Sequence, residues 1–297
     1  MNPCHQCSVK KSSTVIALTV DVEDYFQVSA FESSVKRSQW DAIPHRVVRN
    51  TEKVLDLFSE LSLRATFFVL GWVVERYPAL VRRMADEGHE VACHGHEHAR
   101  ITTLTPTAFR KDIERSRKLL QDVSGQRVDG YRAPSYTITR RTLWALDALI
   151  DAGFRYDSSI FPIHHDVYGM PGAKRFPYRI VRKKGTIMEF PPSTLAFSLL
   201  GKRVVIPFSG GGYLRLLPVS WVSAAFDNLC RQGRPCALYF HPWEIDPDQP
   251  RVNNAPLKSR FRHYLNLSGT EKKLRCLFAD HRFAPMSTVL NEVFPHE

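Results

Sequence analysis

Apolar residues along this chain switch repeatedly between two spacings. Short β-branched or aromatic runs, such as TVIALTV at 14–20 and RATFFVL at 64–70, read as buried strands. Between them lie segments with apolar positions three and four apart. Over 45–61, Val47, Val48, Val54, Leu55, Leu57 and Phe58 fall at helical spacing, and 72–87 is a second such stretch stopped by Gly88. Residues 89–93 predict a third strand that delivers His94 at its end. The next helix, to about Val123, opens at Thr105-Pro106 with a capping hydroxyl and a first-turn proline, and closes at Ser124-Gly125. A fourth strand at 127–131 runs into Arg132-Ala133-Pro134, a helix over 139–152 ends at Gly153, and another strand occupies 154–157. From about 158 to 217 the rhythm breaks. Strands at 178–181, 186–190 and 204–207 follow without helices between them, which predicts a hairpin-rich insertion. Ser209-Gly210-Gly211-Gly212 reads as a flexible loop. Helix returns at 219–232, a strand at 236–240 ends at His241, and helical pieces at 258–264, 270–278 and 286–293 close the chain.

Repeated βα units imply parallel strands joined by right-handed crossovers. Asp21, His94, Arg132 and His241 all fall just after a strand's C-terminal end. That edge is where α/β sheets and barrels build their sites. Several strands each bringing a polar residue to one edge favour an irregular (β/α) barrel carrying the hairpin-rich insertion. No repeat or low-complexity linker divides the sequence, so 14–297 is expected to form a single domain behind a poorly ordered polar tail at 1–13.

Composition adds bounds. The 297 residues are 43% hydrophobic and 24% charged, ordinary for a globular chain with a sizeable core. No run approaches the ~18 apolar residues of a membrane span, and no apolar export segment precedes the first strand. A soluble cytoplasmic protein is expected, with peripheral association at the inner membrane face as a variant of it. The net charge of +11 favours anionic partners: nucleic acid, anionic lipid or acidic polysaccharide. No nucleic-acid motif accompanies the charge, so nucleic acid is set aside. Of six cysteines, Cys4 and Cys7 form a CxxC with no second pair to complete a zinc ribbon. Cys93, Cys230, Cys236 and Cys276 sit singly in apolar surroundings and read as small buried hydrophobes.

The candidate chemistry lies at the strand exits. Asp21-Val22-Glu23-Asp24 crowds three carboxylates into four residues, which is costly unless a cation neutralises them. His94-Gly95-His96-Glu97-His98 offers two imidazoles four apart, with His96 between them pointing elsewhere. Two histidines and a carboxylate suit a catalytic divalent metal with a position left open for water. The run from His89 to His94 is HExxxH, one residue too long for the helical HExxH of a metalloprotease, which excludes that class. Arg132-Ala133-Pro134-Ser135-Tyr136 brings a guanidinium able to grip a carboxylate, then a stiff turn whose backbone N–H at Ser135 could meet an oxyanion. His241-Pro242-Trp243-Glu244 places a histidine where a general acid is useful.

Taken together, DVED, HGHEH, RAPSY and LYFHP resemble the motifs of the polysaccharide deacetylase family, carbohydrate esterase family 4. The resemblance spans about 14–245 and is strongest to the subgroup found with exopolysaccharide loci, through LTVDVEDYFQVSAF, GFRYDSSIFP, GGGYLRLLP and YFHPWEID. It implies a barrel of that family's type and removal of N-acetyl groups from a polysaccharide or oligosaccharide. It implies one divalent metal ion, zinc first and cobalt or nickel next, on His94 and His98. Asp21 would be the base that activates water, His241 the acid at the leaving amine, and Arg132 the group that tunes Asp21. Ser135, with Tyr136 and Trp243, would face oxyanion and substrate. One departure stands out: the family's second adjacent aspartate is Val22 here. The third ligand is then Glu23 by position, or Asp24 by residue type and shorter reach, and the preference falls on Asp24. The role of Asp157 is left open. Two other functions fit less of the pattern: hydrolysis of a non-sugar amide on the same fold, and glycan binding by a degenerate site.

Overall fold

A strand buried on both faces along its whole length, Ile16–Val22 (β1), stands at the centre of the molecule, as expected for a parallel strand covered on each side. The computed structural model describes residues 14–165, 168–199 and 201–295. The remaining strands are β2 (Thr66–Val69), β3 (Glu90–Cys93), β4 (Gly130–Tyr131), β5 (Tyr156–Asp157), β6 (Tyr178–Arg182), β7 (Gly185–Glu189), β8 (Thr194–Leu199), β9 (Lys202–Pro207), β10 (Cys236–Phe240) and β11 (Phe283–Ala284). The helices are α1 (Val47–Glu60), α2 (Gly71–Arg76), α3 (Pro78–Asp86), α4 (Pro106–Ser124), α5 (Trp144–Asp151), α6 (Gly211–Leu216), α7 (Val219–Arg231), α8 (Leu257–Tyr264), α9 (Leu267–Asp280) and α10 (Met286–Val293).

The main sheet runs in the order β10-β1-β2-β3-β4-β5-β7-β6, with β11 beside β1. Its neighbours are parallel except the β6–β7 hairpin. Strand periodicity separates two faces. Ala17, Phe68, Ala92, Tyr156, Phe190 and Ala237 pack with Met286, Val289 and Leu290 of α10 into one cluster, the filling of an irregular barrel. Leu18, Val20, Phe67, Val69, Val91, Leu238 and Phe240 point the other way and join the larger cluster shared with the helices. Two residues further along the inward row, Ala17 gives way to Thr19 and then Asp21, Ala92 to His94, and Ala237 to Tyr239 and then His241. The small alanines fill the narrow interior, and the polar residues that follow them emerge at its C-terminal mouth.

The barrel has a seam between β7 and β10. Ala237 donates its N–H to Ser193 Oγ (2.8 Å), and Tyr239 donates to the Ser209 carbonyl (3.0 Å). Here the expected flexible loop at 209–212 is overturned. Gly210 bridges to Tyr239, and a Cβ added to it would lie 2.3 Å from the Tyr239 carbonyl oxygen. Glycine is needed for close backbone approach, and α6 begins at once.

Other expectations shift for local reasons. The helix over 72–87 splits into α2 and α3 at Pro78, which has no N–H to continue the ladder. The helix over 139–152 starts only at Trp144, after a turn in which Thr142 Oγ1 accepts from the Thr139 N–H (2.8 Å). Strand β8 was not expected; it pairs only with β9, away from the main sheet, and lacks the apolar run of a central strand. Cys93, Cys230 and Cys236 are buried as expected, while Cys276 is half-buried. The 1–13 tail with its CxxC lies outside the described residues. Among those described, no helix is long and apolar enough to cross a membrane.

Gly210→Ala should cost about 1–3 kcal/mol through overpacking at the seam, whereas Gly212→Ala should change stability by less than about 0.5 kcal/mol. Equilibrium urea unfolding of the two variants checks the contrast; equal costs would remove the seam's claim on Gly210.

Candidate active site

Four strand exits converge on a cavity of about 610 Å³ whose lining includes Asp21, Glu23, His94, His98, Ser135 and His241. Asp21 leaves β1 buried, and its Oδ1 accepts from Arg132 Nη1 at 2.5 Å. Arg132, 1% exposed, also donates to Thr19 Oγ1 (3.0 Å) and Ser158 Oγ (3.0 Å) and lies over the Phe68 ring. Asp21 Oδ2 lies 3.9 Å from His241 Nε2. The guanidinium therefore holds one carboxylate oxygen and leaves the other toward His241.

Glu23, His94 and His98 bring one ligand atom each to within 4.8 Å of one another. The loop geometry that achieves this is not a helix. Gly95 (φ 77°) and His98 (φ 53°) both take left-handed backbone conformations, which turn the chain back after β3. His96 points away, with Nε2 3.4 Å from Glu75. His94 Nδ1 pairs with the Arg132 carbonyl (2.8 Å), which makes Nδ1 the protonated nitrogen and frees Nε2 as a ligand. Burial, outweighing nearby Asp21, lowers the His94 pKa to about 4, so the ring is neutral near pH 7. Glu23 Oε2 is buried without a hydrogen-bond partner, although His98 Nε2 stands 2.6 Å away. A buried carboxylate and two imidazoles that converge in this way form a donor set suited to a divalent cation.

Asp24 is not part of this cluster, which corrects the preference drawn from residue type. Its Oδ2 accepts from the N–H groups of Arg46 (2.7 Å) and Val47 (3.0 Å), and Oδ1 from its neighbour Tyr25 (2.9 Å). It caps the start of α1 from a distance. Glu23, one position back, supplies the carboxylate of the cluster.

His241 is set by carboxylates. Its Nδ1 meets Glu244 Oε1 at 2.6 Å, and Nε2 stands 3.5 Å from Glu23 Oε1. Burial favours the neutral ring, but Glu23, Glu244 and Asp21 outweigh it and push the pKa up to about 9. Glu244 is itself anchored by buried Arg215 (2.6 Å). Trp243, expected at the substrate, donates its indole N–H to Glu23 Oε1 (3.3 Å) and stacks with His241 and His263. It lines the cavity, yet only 4% of it is exposed, and its direct service is to orient Glu23.

Ser135 and Tyr136 both have φ near +54°, strain of the kind that collects at functional turns. Ser135 Oγ meets Ser29 Oγ at 2.5 Å, and both Ser135 and Tyr136 line the cavity. Sequence reasoning missed Arg215, Ser158, Glu189 and the support given by Glu244. Only Glu244 had a signal, a carboxylate three residues after a strand-end histidine.

Asp157, left open above, is the register partner of Glu189 across β5 and β7. Both carboxyls are buried, and Asp157 Oδ2 and Glu189 Oε2 find no other partner. One shared proton satisfies both. Burial raises both groups, Asp157 to about 6 and Glu189 further.

Residues 9–156 match the family model described as polysaccharide deacetylase, and residues 158–291 match a domain of unknown function (DUF3473). The chain belongs to the polysaccharide deacetylase family. The two matched spans share one sheet, since β10 of the second pairs with β1 of the first. A peptidoglycan deacetylase of Helicobacter pylori is 31% identical over 114 residues, 38% of this chain and 37% of that protein. A chitooligosaccharide deacetylase of Rhizobium leguminosarum bv. trifolii is 32% identical over 120 residues, 39% of this chain and 50% of that protein. The chain thus matches half or less of these relatives' length. A solved structure from Mycobacterium smegmatis, described as a candidate polysaccharide deacetylase, has a TM-score of 0.63 at 19% identity, covering 99% of this chain and 95% of that one. That likeness concerns the fold.

Two outcomes follow. Glu23→Gln should weaken Zn or Co binding by about 10–100-fold or more. Asp24→Ala should leave it intact and cost about 1 kcal/mol as a lost cap; calorimetric titration and unfolding check both. For the carboxyl pair, both folded pKa values are raised, so its stabilisation is complete below the ordinary carboxylate range. It is lost as pH rises through about 6 and beyond. Glu189→Gln should therefore flatten the fall in unfolding free energy between acidic and neutral pH; an unchanged pH slope would contradict the shared proton.

Proposed function

We propose that this protein is a metal-dependent hydrolase that removes N-acetyl groups from an amino-sugar polysaccharide, or its lipid-linked precursor, in exopolysaccharide biosynthesis. The observation that carries this reading is the meeting of Asp21, held by buried Arg132, and His241 with the Glu23–His94–His98 cluster at one cavity. Family membership and the deacetylase names of the relatives support the substrate class. The place in exopolysaccharide synthesis rests on the resemblance of DVEDYFQVSAF and YFHPWEID to that subgroup. A cytoplasmic station, with peripheral contact at the inner membrane face, goes with that reading. The completeness of the cluster despite Val22 speaks against a degenerate, purely binding site.

A divalent ion on Glu23, His94 and His98, zinc first, would polarise the amide carbonyl and acidify the attacking water. The rest belongs to the chain's own side chains. Asp21, with Oδ1 held by Arg132, takes the water proton on its other oxygen as the oxygen bonds to the acetyl carbon. The Ser135–Tyr136 turn flanks the developing oxyanion. As the C–N bond breaks, His241 gives its Nε2 proton to the leaving nitrogen. Glu244 at Nδ1 keeps the imidazole oriented and charged beforehand. Acetate and a free amine result.

Asp21→Asn should lower acetate release from acetylated chitooligosaccharides by about 10²–10⁴-fold while metal binding persists. Near-normal turnover would remove Asp21 as the base. Because the acid must be protonated, activity should fall as pH rises through the His241 pKa. Glu244→Gln removes one of the charges that hold this proton, so it should move that alkaline fall to lower pH.

A further inference from the structure

We propose that the outward face of α8, together with Leu216, docks on an anionic lipid bilayer, so that the cavity mouth opens at the membrane surface. The docking gives a surface to the membrane contact of the proposed function and rests on that part of it, while its test needs none of the hydrolase chemistry. Leu257, Lys258, Phe261 and Arg262 stand at i, i+1, i+4 and i+5 on α8 and share one side of the helix. The opposite side is committed inward: His263 is buried, with its ring 4.6 Å from that of Phe31. Leu257 is 80% exposed and Phe261 67%; Leu216, which lines the same cavity mouth as Phe261, is 58% exposed.

Three large apolar side chains in water around one opening ask for an apolar cover. A glycan in the cavity does not supply it, because Leu257 is not among the residues lining the cavity. The interleaved charges point the same way. Lys258 and Arg262 are like charges one turn apart, a repulsive spacing, and neither has a salt-bridge partner among the described residues. Residues 250–265 contain Arg251, Lys258, Arg260 and Arg262 and no Asp or Glu, in a chain of net charge +11. Apolar residues alternating with cations on one helix face are the signature of an interfacial element that sinks into the headgroup layer. With no spanning helix among the described residues, the association is peripheral. Such docking presents the active-site mouth to glycans carried on a lipid.

The test uses the full metal-loaded protein in cosedimentation with phosphatidylcholine vesicles, with and without phosphatidylglycerol, at physiological salt. Binding is expected only with phosphatidylglycerol, and Leu257→Asp should weaken it by about tenfold or more. A Lys258→Gln/Arg262→Gln double variant should do the same. Leu257→Asp should leave acetate release from a soluble chitooligosaccharide at the wild-type rate. The proposal is overturned if phosphatidylglycerol vesicles are not bound, or if Leu257→Asp binds them as the wild type does. It is also overturned if soluble alginate is bound as tightly as the vesicles, with equal affinity for wild type and Leu257→Asp, since the basic face then serves an acidic glycan. Vesicle binding needs no turnover, so its failure is separate from failure of the hydrolase reading, which acetate release from the soluble oligosaccharide reports.

Discussion

A guanidinium inside a barrel loses its water on every side, and the surrounding strands must replace it. Arg132 is met by Asp21 and Thr19 from β1, by Ser158 beyond β5 and by the face of Phe68 from β2. Stripping one partner from such a pair leaves an uncompensated buried charge, a far larger penalty than the pair's net worth. The same residue's carbonyl holds His94. One side chain and its backbone thus tie the candidate base, one candidate ligand histidine and three strands into a single arrangement.

The three carboxylates of Asp21-Val22-Glu23-Asp24 would repel one another if left together. The fold separates their duties instead. Asp21 goes to Arg132, Glu23 faces the imidazoles of His98 and His241, and Asp24 turns away to the first N–H groups of α1. Beneath them a second negative pair, Asp157 and Glu189, is tolerated by sharing a proton rather than by meeting a cation. Charge is therefore graded with depth: a carboxyl pair with one proton within the barrel, a paired ion below the mouth, and the carboxylate–imidazole cluster at the cavity.

Much of this was legible because periodicity reports burial. The strands β1, β2, β3 and β10, and the helices α4, α7 and α10, follow from apolar spacing and from caps such as Thr105-Pro106. Asp21, His94, Arg132 and His241 were marked by standing just past apolar runs. Less legible were elements whose signal is not burial. Strand β8 belongs to a two-stranded hairpin, and Gly210 serves a packing seam although glycine runs usually denote freedom. Arg215 carries no local mark, since its partner Glu244 lies 29 residues away.

By itself the sequence determined which residue types reach the mouth of the barrel, because alternation along a strand decides what points inward and an apolar run decides where it ends. It could not decide between Glu23 and Asp24. Both are carboxylates after the same strand, and residue type favoured the one that the fold turns away from the cluster. That choice rests on where α1 begins relative to β1, for the N–H groups of Arg46 and Val47 claim Asp24 and leave Glu23 beside His98. Only packing of distant segments sets that relation, so only the tertiary structure could assign the two acids.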